Sequence, residues 1–160
     1  MRKTNNAQPA IPAIGEGKRG ETGHIGYLLR QAHAAHRIRM EHALQGIGLT
    51  LPQFSVLVML DAYPGASSAD LARLSLLTPQ TLSVIVGNLA RDGVIARRPH
   101  EQHGRIQLID ITAAGRVLLE QGKAATQAVE SALLAGVAEA DQLVIRHWLV
   151  QIAKQGASAA

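Results

Sequence analysis

A group of small polar residues follows a Thr-Pro pair near the middle of the chain. Thr78 and Pro79 are typical of a helix start, because threonine caps the first backbone amides and proline fits the first helical position. A glutamine in the first turn of such a helix can pair with adenine through both amide atoms, and hydroxyl groups can reach base edges or phosphates. An exposed valine can touch a thymine methyl group. The residues expected to contact duplex DNA are Thr78, Gln80, Thr81, Ser83, Val84 and Asn88.

Arginines around this segment supply the positive charge that contacts to phosphate need. Arg97 and Arg98 end a strand-like stretch and are expected at the DNA backbone, while Arg105 lies at a hairpin tip that can reach the minor groove. Arg73 and Arg91 are further candidates for phosphate contacts. For each arginine, the alternative is a solvated surface charge. The net charge of +4 is concentrated in the first three-quarters of the chain, which favours an anionic partner for that part.

The composition argues against several classes of protein. The 160-residue chain has no cysteine, which excludes disulfides, zinc ribbons and thiol nucleophiles. No apolar run approaches the roughly 18 residues of a membrane span, and the N-terminus lacks the apolar stretch of a signal peptide. We therefore expect a cytoplasmic protein that does not contact a membrane. No nucleophile–base set, carboxylate pair or glycine-rich phosphate loop indicates catalysis, so neither an enzyme nor a cofactor is expected.

The elements that position these residues are mainly helical. Apolar residues at steps of three and four predict a helix from about Gly23 to Leu44 and a short one from Thr50 to before Pro64. A helix capped by Ser67 or Ser68 and the helix after Thr78 form a helix-turn-helix pair. The period then changes to two, which predicts a β-hairpin. The remaining predicted segments are strands at Val94–Arg98 and Ile106–Ile111, a helix from Thr112 to about Leu134, and a helix from about Glu139.

This order of elements predicts a mainly α protein with a small β-hairpin wing, a winged helix-turn-helix. The segments that match a known family, in order and with normal spacing, are Gly48–Leu57, Leu71–Ala72, Leu82–Leu89 with Gly93, Arg97–Pro99 and Leu108–Arg116. Together they resemble the MarR family of transcriptional regulators, over about residues 23–155. The resemblance implies a homodimer whose first and last helices interlace, with each winged domain reading half of a pseudo-palindromic operator. It also implies repression that is relieved by a small, often aromatic or anionic, ligand.

Prolines, glycines and a lack of periodicity predict a flexible N-terminal arm over residues 1–22. The resemblance divides the rest into a helical dimerisation region (23–49 and 113–155) and a winged-helix DNA-binding domain (50–112). Trp148, in the last helix, is expected in the core or at the dimer contact. The ligand is expected between the two parts. The residues expected to line its pocket are Tyr27, Arg30, His33 and Arg37 of the first helix, facing Phe54 and Leu57.

Three departures from the family pattern and two alternative functions stay open. His103 stands where members usually carry an acid, which leaves Arg105 less tethered. The middle of the recognition helix, where members often have basic or polar residues, carries Val84, Gly87 and Asn88. The lack of cysteine excludes thiol-oxidation sensing. One alternative is a metal-responsive regulator built on His33 and His36, one helical turn apart. The other is a winged-helix protein-interaction module, which would lack a contiguous basic face and would not bind DNA.

Overall fold

The structure is a computed structural model that describes residues 11–99 and 106–157. The chain divides into two compact units, of which the first ends at Arg39 and the second begins at Met40. The mainly α fold with a small β wing that the sequence predicts is confirmed. The elements are α1 Ile25–Gln45, α2 Leu51–Ala62, β1 Ala66–Ser67, α3 Ser68–Leu74, α4 Pro79–Arg91, β2 Ile95–Pro99, β3 Gln107–Ile111, α5 Ala113–Leu133 and α6 Glu139–Ala157.

In the first unit, residues 11–23 form hydrogen-bonded turns before α1, including a short 3-10 helix at Gly17–Arg19. The Arg19 side chain donates to the Pro12 carbonyl oxygen at 2.8 Å, and the Gln31 amide of α1 donates to the Arg19 carbonyl oxygen at 3.1 Å. These bonds were not part of the sequence interpretation, in which residues 1–22 are a flexible arm.

Helices α2 to α5 begin at hydroxyl side chains, as the sequence predicts. Thr50 accepts from the Gln53 amide at 3.3 Å while the Gln53 side chain accepts from the Thr50 amide at 2.9 Å, so the two form a capping box. Ser67, Thr78 and Thr112 cap α3, α4 and α5 in the same manner, each accepting from the amide three residues on. Because such caps depend on neighbouring residues alone, the starts of these helices are encoded locally.

The two strands predicted for the wing pair antiparallel as β2 and β3, and a third strand that the sequence does not predict, β1, extends the sheet to the order β1-β3-β2. Strand β1 pairs Ala66 with Ile109, and β2 pairs Arg97 with Ile109 from the other side. The third strand was missed because two residues are too few to show a period of two. It joins the base of the wing to the start of α3 directly.

One apolar core unites α2, α3, α4, the sheet and α5. Its fully buried side chains include Leu57 of α2, Leu71 of α3, Leu82 of α4, Ile109 of β3 and Leu119 of α5. The core holds α4 by one face against the rest of the winged domain. The opposite face of α4 is thereby fixed toward solvent.

Helix α6 exposes most of its apolar residues in the single chain. Trp148 has 41% of its surface exposed, and Leu143, Val144 and Leu149 are also exposed. Of the two places expected for Trp148, the core is excluded for the single chain because so much of the side chain is exposed; the dimer contact stays a prediction. None of the described helices is both long and apolar enough to span a membrane.

Candidate nucleic-acid interface

Helix α4 has two faces of opposite character. Leu82, Ile85, Val86 and Leu89 are buried in the core. On the other side lies what we call the outer face, made of Gln80, Thr81, Val84, Gly87 and Asn88, of which Asn88 is half-buried and the rest exposed. Since successive residues turn by about 100° around a helix, Val84 lies at the middle of this face. The structure therefore brings most of the predicted base-contacting residues onto one exposed surface.

The first turn of α4 fixes the hydrogen-bonding roles of its two threonines. The Thr78 hydroxyl oxygen accepts from the Thr81 amide at 3.2 Å, and the Thr78 hydroxyl donates to the Thr81 hydroxyl oxygen at 2.9 Å. Both hydrogen bonds of the Thr78 hydroxyl group are therefore made within the cap. Thr81 keeps its own hydroxyl proton, which it can donate to an acceptor outside the protein.

A cleft of about 310 Å³ lies beside the outer face, between α4 and the wing. Its lining includes Ser68 at the start of α3, Ser83 of α4, Arg97 of β2 and Gln107 of β3. The fold therefore places a guanidinium group and two hydroxyl groups around one opening, although they come from three separate stretches of sequence. Cationic and hydroxyl groups in such a position can hold the phosphate of a DNA backbone.

Arg97 and Arg98, which the sequence treats alike, are in different environments. Successive residues of a strand point to opposite sides of a sheet, and Arg98 turns away from the cleft that Arg97 lines. Its Nε atom lies 2.6 Å from Oδ2 of Asp110, so it ties β2 to β3. It also covers Gly65, where an added Cβ would lie 3.1 Å from the Arg98 Nη2 atom.

The remaining predicted arginines also differ in their partners. Arg73 is hydrogen-bonded to Asp70, and Arg91 lies 3.2 Å from Asp92. Hydrogen bonds from Ser67 and then from Arg73 lower the pKa of Asp70, so this carboxylate stays charged at neutral pH. Within the described residues, Arg97 has no carboxylate partner. Among the predicted arginines in the described part of the chain, Arg97 is therefore the one that a phosphate can contact without displacing a carboxylate seen in the structure. The competition at the other arginines is modest, because exposed pairs such as Arg73–Asp70 are weak.

The predicted wing-tip residues Arg105 and His103 lie outside the described residues. The wing is described up to Pro99 on β2 and from Ile106 onward before β3. Contact of Arg105 with the minor groove, and the effect of His103 on it, stay predictions.

A second cavity, of about 560 Å³, lies between α2 and α5. Phe54, a predicted ligand contact, lines it together with Met40 and Val58. Leu57, the other α2 residue predicted as a ligand contact, is fully buried in the core and does not line this cavity, so its contact with a ligand stays a prediction. Tyr27, Arg30, His33 and Arg37 belong to the first unit, where the Arg30 guanidinium lies 5.7 Å from the centre of the Tyr27 ring.

Helix α5 supplies polar groups to this cavity that sequence reasoning missed. They include Glu120, Lys123, Gln127 and Glu130. Lys123 Nζ lies 2.8 Å from Asp61 Oδ2 and 2.9 Å from Glu120 Oε1, so its charge is already neutralised by two carboxylates. No local signal marks these residues, because only the packing of α5 on α2 turns them toward the cavity.

The metal-binding alternative requires several ligands that converge on one ion. Among residues 11–99 and 106–157, no three His, Asp or Glu side chains are placed to hold a metal ion together.

Comparison with known proteins gives consistent results. Residues 47–106 match the model of the MarR family. The HTH-type transcriptional repressor Rv2887 of Mycobacterium tuberculosis is 35% identical over 128 residues, which are 80% of this chain and 92% of that protein.

Two solved structures of the repressor CouR share the fold of this chain. CouR bound to a 23-mer DNA duplex is 26% identical, with a TM-score of 0.76 over 86% of this chain and 99% of that one. CouR from Rhodococcus jostii RHA1 bound to p-coumaroyl-CoA is also 26% identical, with a TM-score of 0.73 over 82% and 93% of the two chains.

Proposed function

This chain belongs to the MarR family of transcriptional regulators, and on that premise we propose that it is a homodimeric repressor of transcription. It is a regulator of gene expression rather than an enzyme. Each protomer presents the outer face of α4 to the major groove of duplex DNA in the cytoplasm. Two copies in a symmetric dimer would enter successive grooves, about 34–36 Å apart, and so read a pseudo-palindromic operator.

The position of Arg97 is the observation that carries this proposal. Arg97 has no acidic partner in the described part of the chain, and it lines a cleft with Ser83 beside the outer face of α4. A phosphate held in this cleft would fix the register of α4 in the neighbouring groove. Arg73, Arg91 and Arg98 are secondary contacts in this proposal, since each would first leave a carboxylate. Arg105 would add a contact at the minor groove.

The test is the salt dependence of DNA binding by Arg97→Ala. Because each phosphate contact releases a counterion, we expect weaker binding to all duplexes and a slope of log affinity against log salt that is smaller by about 1. Arg116→Ala is the matched control: it removes the same charge from α5, where Arg116 contacts Asp61 at 3.6 Å. The measurement is fluorescence anisotropy with labelled duplexes at four or more salt concentrations.

Two results would contradict the proposal in different ways. An unchanged slope in Arg97→Ala would remove the cleft from the DNA contact. Absence of any salt-dependent retention of duplex DNA by the wild-type protein would instead favour a winged-helix module that binds other proteins.

The proposed dimer is supported by exposed apolar side chains on α1 and α6. Ile25 and Ile38 of α1 and Leu143, Val144 and Trp148 of α6 lie at the surface of the single chain. A second copy that covers them would remove this apolar surface from water.

We also propose that a small molecule releases the protein from DNA. CouR, with the same fold, binds p-coumaroyl-CoA as well as DNA. In this chain the cavity at Phe54 is one candidate pocket, and Tyr27, Arg30, His33 and Arg37 stay candidate contacts on α1. Such a ligand would act only if it binds the DNA-free arrangement more tightly than the DNA-bound one.

A further inference from the structure

From Gln80 to Asn88, the outer face of α4 carries methyl, amide and hydroxyl groups and no charge. Arg91 follows on the same side of the helix, in the last turn. We infer that this face selects A·T base pairs, with the isopropyl group of Val84 packed against the C5-methyl group of a thymine. The inference rests on the proposed entry of α4 into the major groove and goes further, because it assigns a base preference to the helix.

Val84 is the apolar residue of α4 that breaks the pattern of burial. It is 65% exposed, whereas Leu82, Ile85, Val86 and Leu89 are all at most 8% exposed. The thymine methyl is the apolar group that bases present in the major groove, so it is the natural partner for an exposed isopropyl group at the centre of a recognition helix.

The side chains on either side of Val84 favour adenine. Gln80 and Asn88 flank Val84 on the outer face, one turn before it and one turn after it. A side-chain amide pairs with the major-groove edge of adenine through two hydrogen bonds: its NH2 group donates to N7, and its oxygen accepts from the N6 amino group. Thr81, on the same face, adds a methyl group and a hydroxyl proton that is free to be donated outward.

Guanine lacks a comparable partner on this helix. Its commonest contact is a bidentate arginine or lysine, and the single cationic side chain of α4 is Arg91 in the last turn. Arg91 lies about 17 Å along the axis from Gln80, at 1.5 Å per residue, and it contacts Asp92. Recognition helices contact bases mainly through their N-terminal residues, and there this helix offers amides, hydroxyls and methyl groups.

Gly87 lets the helix backbone come close to the groove. An added Cβ there would have no atom of the protein within 4 Å, so internal packing does not require a glycine at this position. Its place on the outer face, one turn after Ser83, leaves the space beside Val84 open to a base edge.

The experiment replaces thymines by deoxyuridine, which removes the C5-methyl group and keeps base pairing. Footprinting on the intergenic DNA next to the gene first supplies an operator, and each half-site thymine is then replaced singly. At one symmetric pair of positions, we expect the wild-type protein to bind about fourfold more weakly per methyl group lost. Val84→Ala should lose a similar factor on the natural operator and be insensitive to deoxyuridine at those positions, as a double-mutant cycle requires.

Val117→Ala is the matched control, because Val117 is 61% exposed on α5 and the variant loses the same two methyl groups. It should keep the wild-type response to deoxyuridine. Operator binding that is indifferent to deoxyuridine at every position, an equal deoxyuridine effect in Val84→Ala, or half-sites composed of G·C pairs would overturn the inference. Each of these outcomes leaves DNA binding itself intact, whereas failure to bind any duplex would contradict the proposed function instead.

Discussion

Gly122 allows α5 to pack directly on the aromatic ring of Phe54. A Cβ at this position would lie 2.7 Å from the ring atoms Cδ2 and Cε2, well inside van der Waals contact. One turn on, the buried Thr126 hydroxyl donates to the Gly122 carbonyl oxygen at 2.9 Å. Gly122 and Thr126 therefore fix the wall of the cavity that Phe54 lines.

We expect Gly122→Ala to lower the free energy of unfolding by about 1–3 kcal/mol, because the added methyl group forces Phe54 or α5 to move. Gly87→Ala is the matched control at an open helical position, and should raise the free energy of unfolding by about 0.5–1 kcal/mol through helix propensity. Urea denaturation followed by circular dichroism measures both. An equal rise in the free energy of unfolding for both variants would contradict this prediction, because it would show that the Phe54 ring can move aside without loss of stability.

The turn between α3 and α4 illustrates how two elements are joined under local strain. Leu76 has φ 55°, the left-handed region that favours glycine, and its side chain is 93% exposed. The Leu77 amide donates to the Ala72 carbonyl oxygen at 2.9 Å, which closes the end of α3. The tight turn that the sequence predicts is therefore present, with a leucine where a glycine would fit more easily.

Helices α2 and α5 are linked by a set of charges centred on Asp61. A hydrogen bond from Lys123, opposed by partial burial and helped by the charges of Lys123 and Arg116, lowers the pKa of Asp61 below its ordinary value of 3.8. Hydrogen bonds to Asp61 and Glu120 raise the pKa of Lys123 above 10.5. A lowered acid pKa stabilises the fold above about pH 4, and a raised lysine pKa stabilises it below about pH 10.5.

We therefore expect Asp61→Asn to reduce stability slightly at pH 7, and to have a smaller effect as the pH falls below the lowered pKa of Asp61 and the native carboxyl becomes protonated. The reduction is small because the groups are partly exposed. Asp92→Asn is a suitable control, since Asp92 pairs with its neighbour Arg91 and does not link two elements. Thermal unfolding measured from pH 2 to pH 7 would contradict this role of Asp61 if the two variants followed the same curve.

At the scale of the whole molecule, the single chain leaves large apolar side chains of α1 and α6 exposed. Trp148 is prominent among them because a tryptophan at the centre of an interface often contributes a large share of the binding energy. The proposed dimer would bury it, and would also set the distance between the two α4 helices. DNA affinity and dimerisation should therefore be lost together.

We expect Trp148→Glu to raise the dimer dissociation constant by roughly tenfold or more and to weaken binding to a full operator far more than to an isolated half-site. Sedimentation equilibrium measures the first effect and anisotropy the second. Gln121→Glu adds the same charge at an exposed position of α5 and should change neither. A Trp148→Glu protein that stays dimeric at low micromolar concentration would place the interface elsewhere.

Local chemistry in the sequence predicts much of this fold. The caps at Thr50, Thr78 and Thr112 begin helices where they are expected, because each cap involves residues three positions apart. The apolar spacing of Leu82, Ile85 and Leu89 likewise identifies the inner face of α4, because a helix repeats every 3.6 residues. The outer face and its polar groups follow from the same period.

Contacts between residues that are distant in the sequence could not be predicted and are known only from the tertiary structure. The pairing of Arg98 with Asp110, which leaves Arg97 to the cleft, depends on the register of β2 against β3. The burial of Leu57 beside a Phe54 that lines a cavity depends on how α5 packs on α2. The sequence by itself thus determined the elements and their faces, which arise from interactions within a few residues. Tertiary packing alone decided that Arg98 pairs with Asp110 while Arg97 lines the cleft, and which side chains surround a cavity, because those interactions join residues that are neighbours only in space.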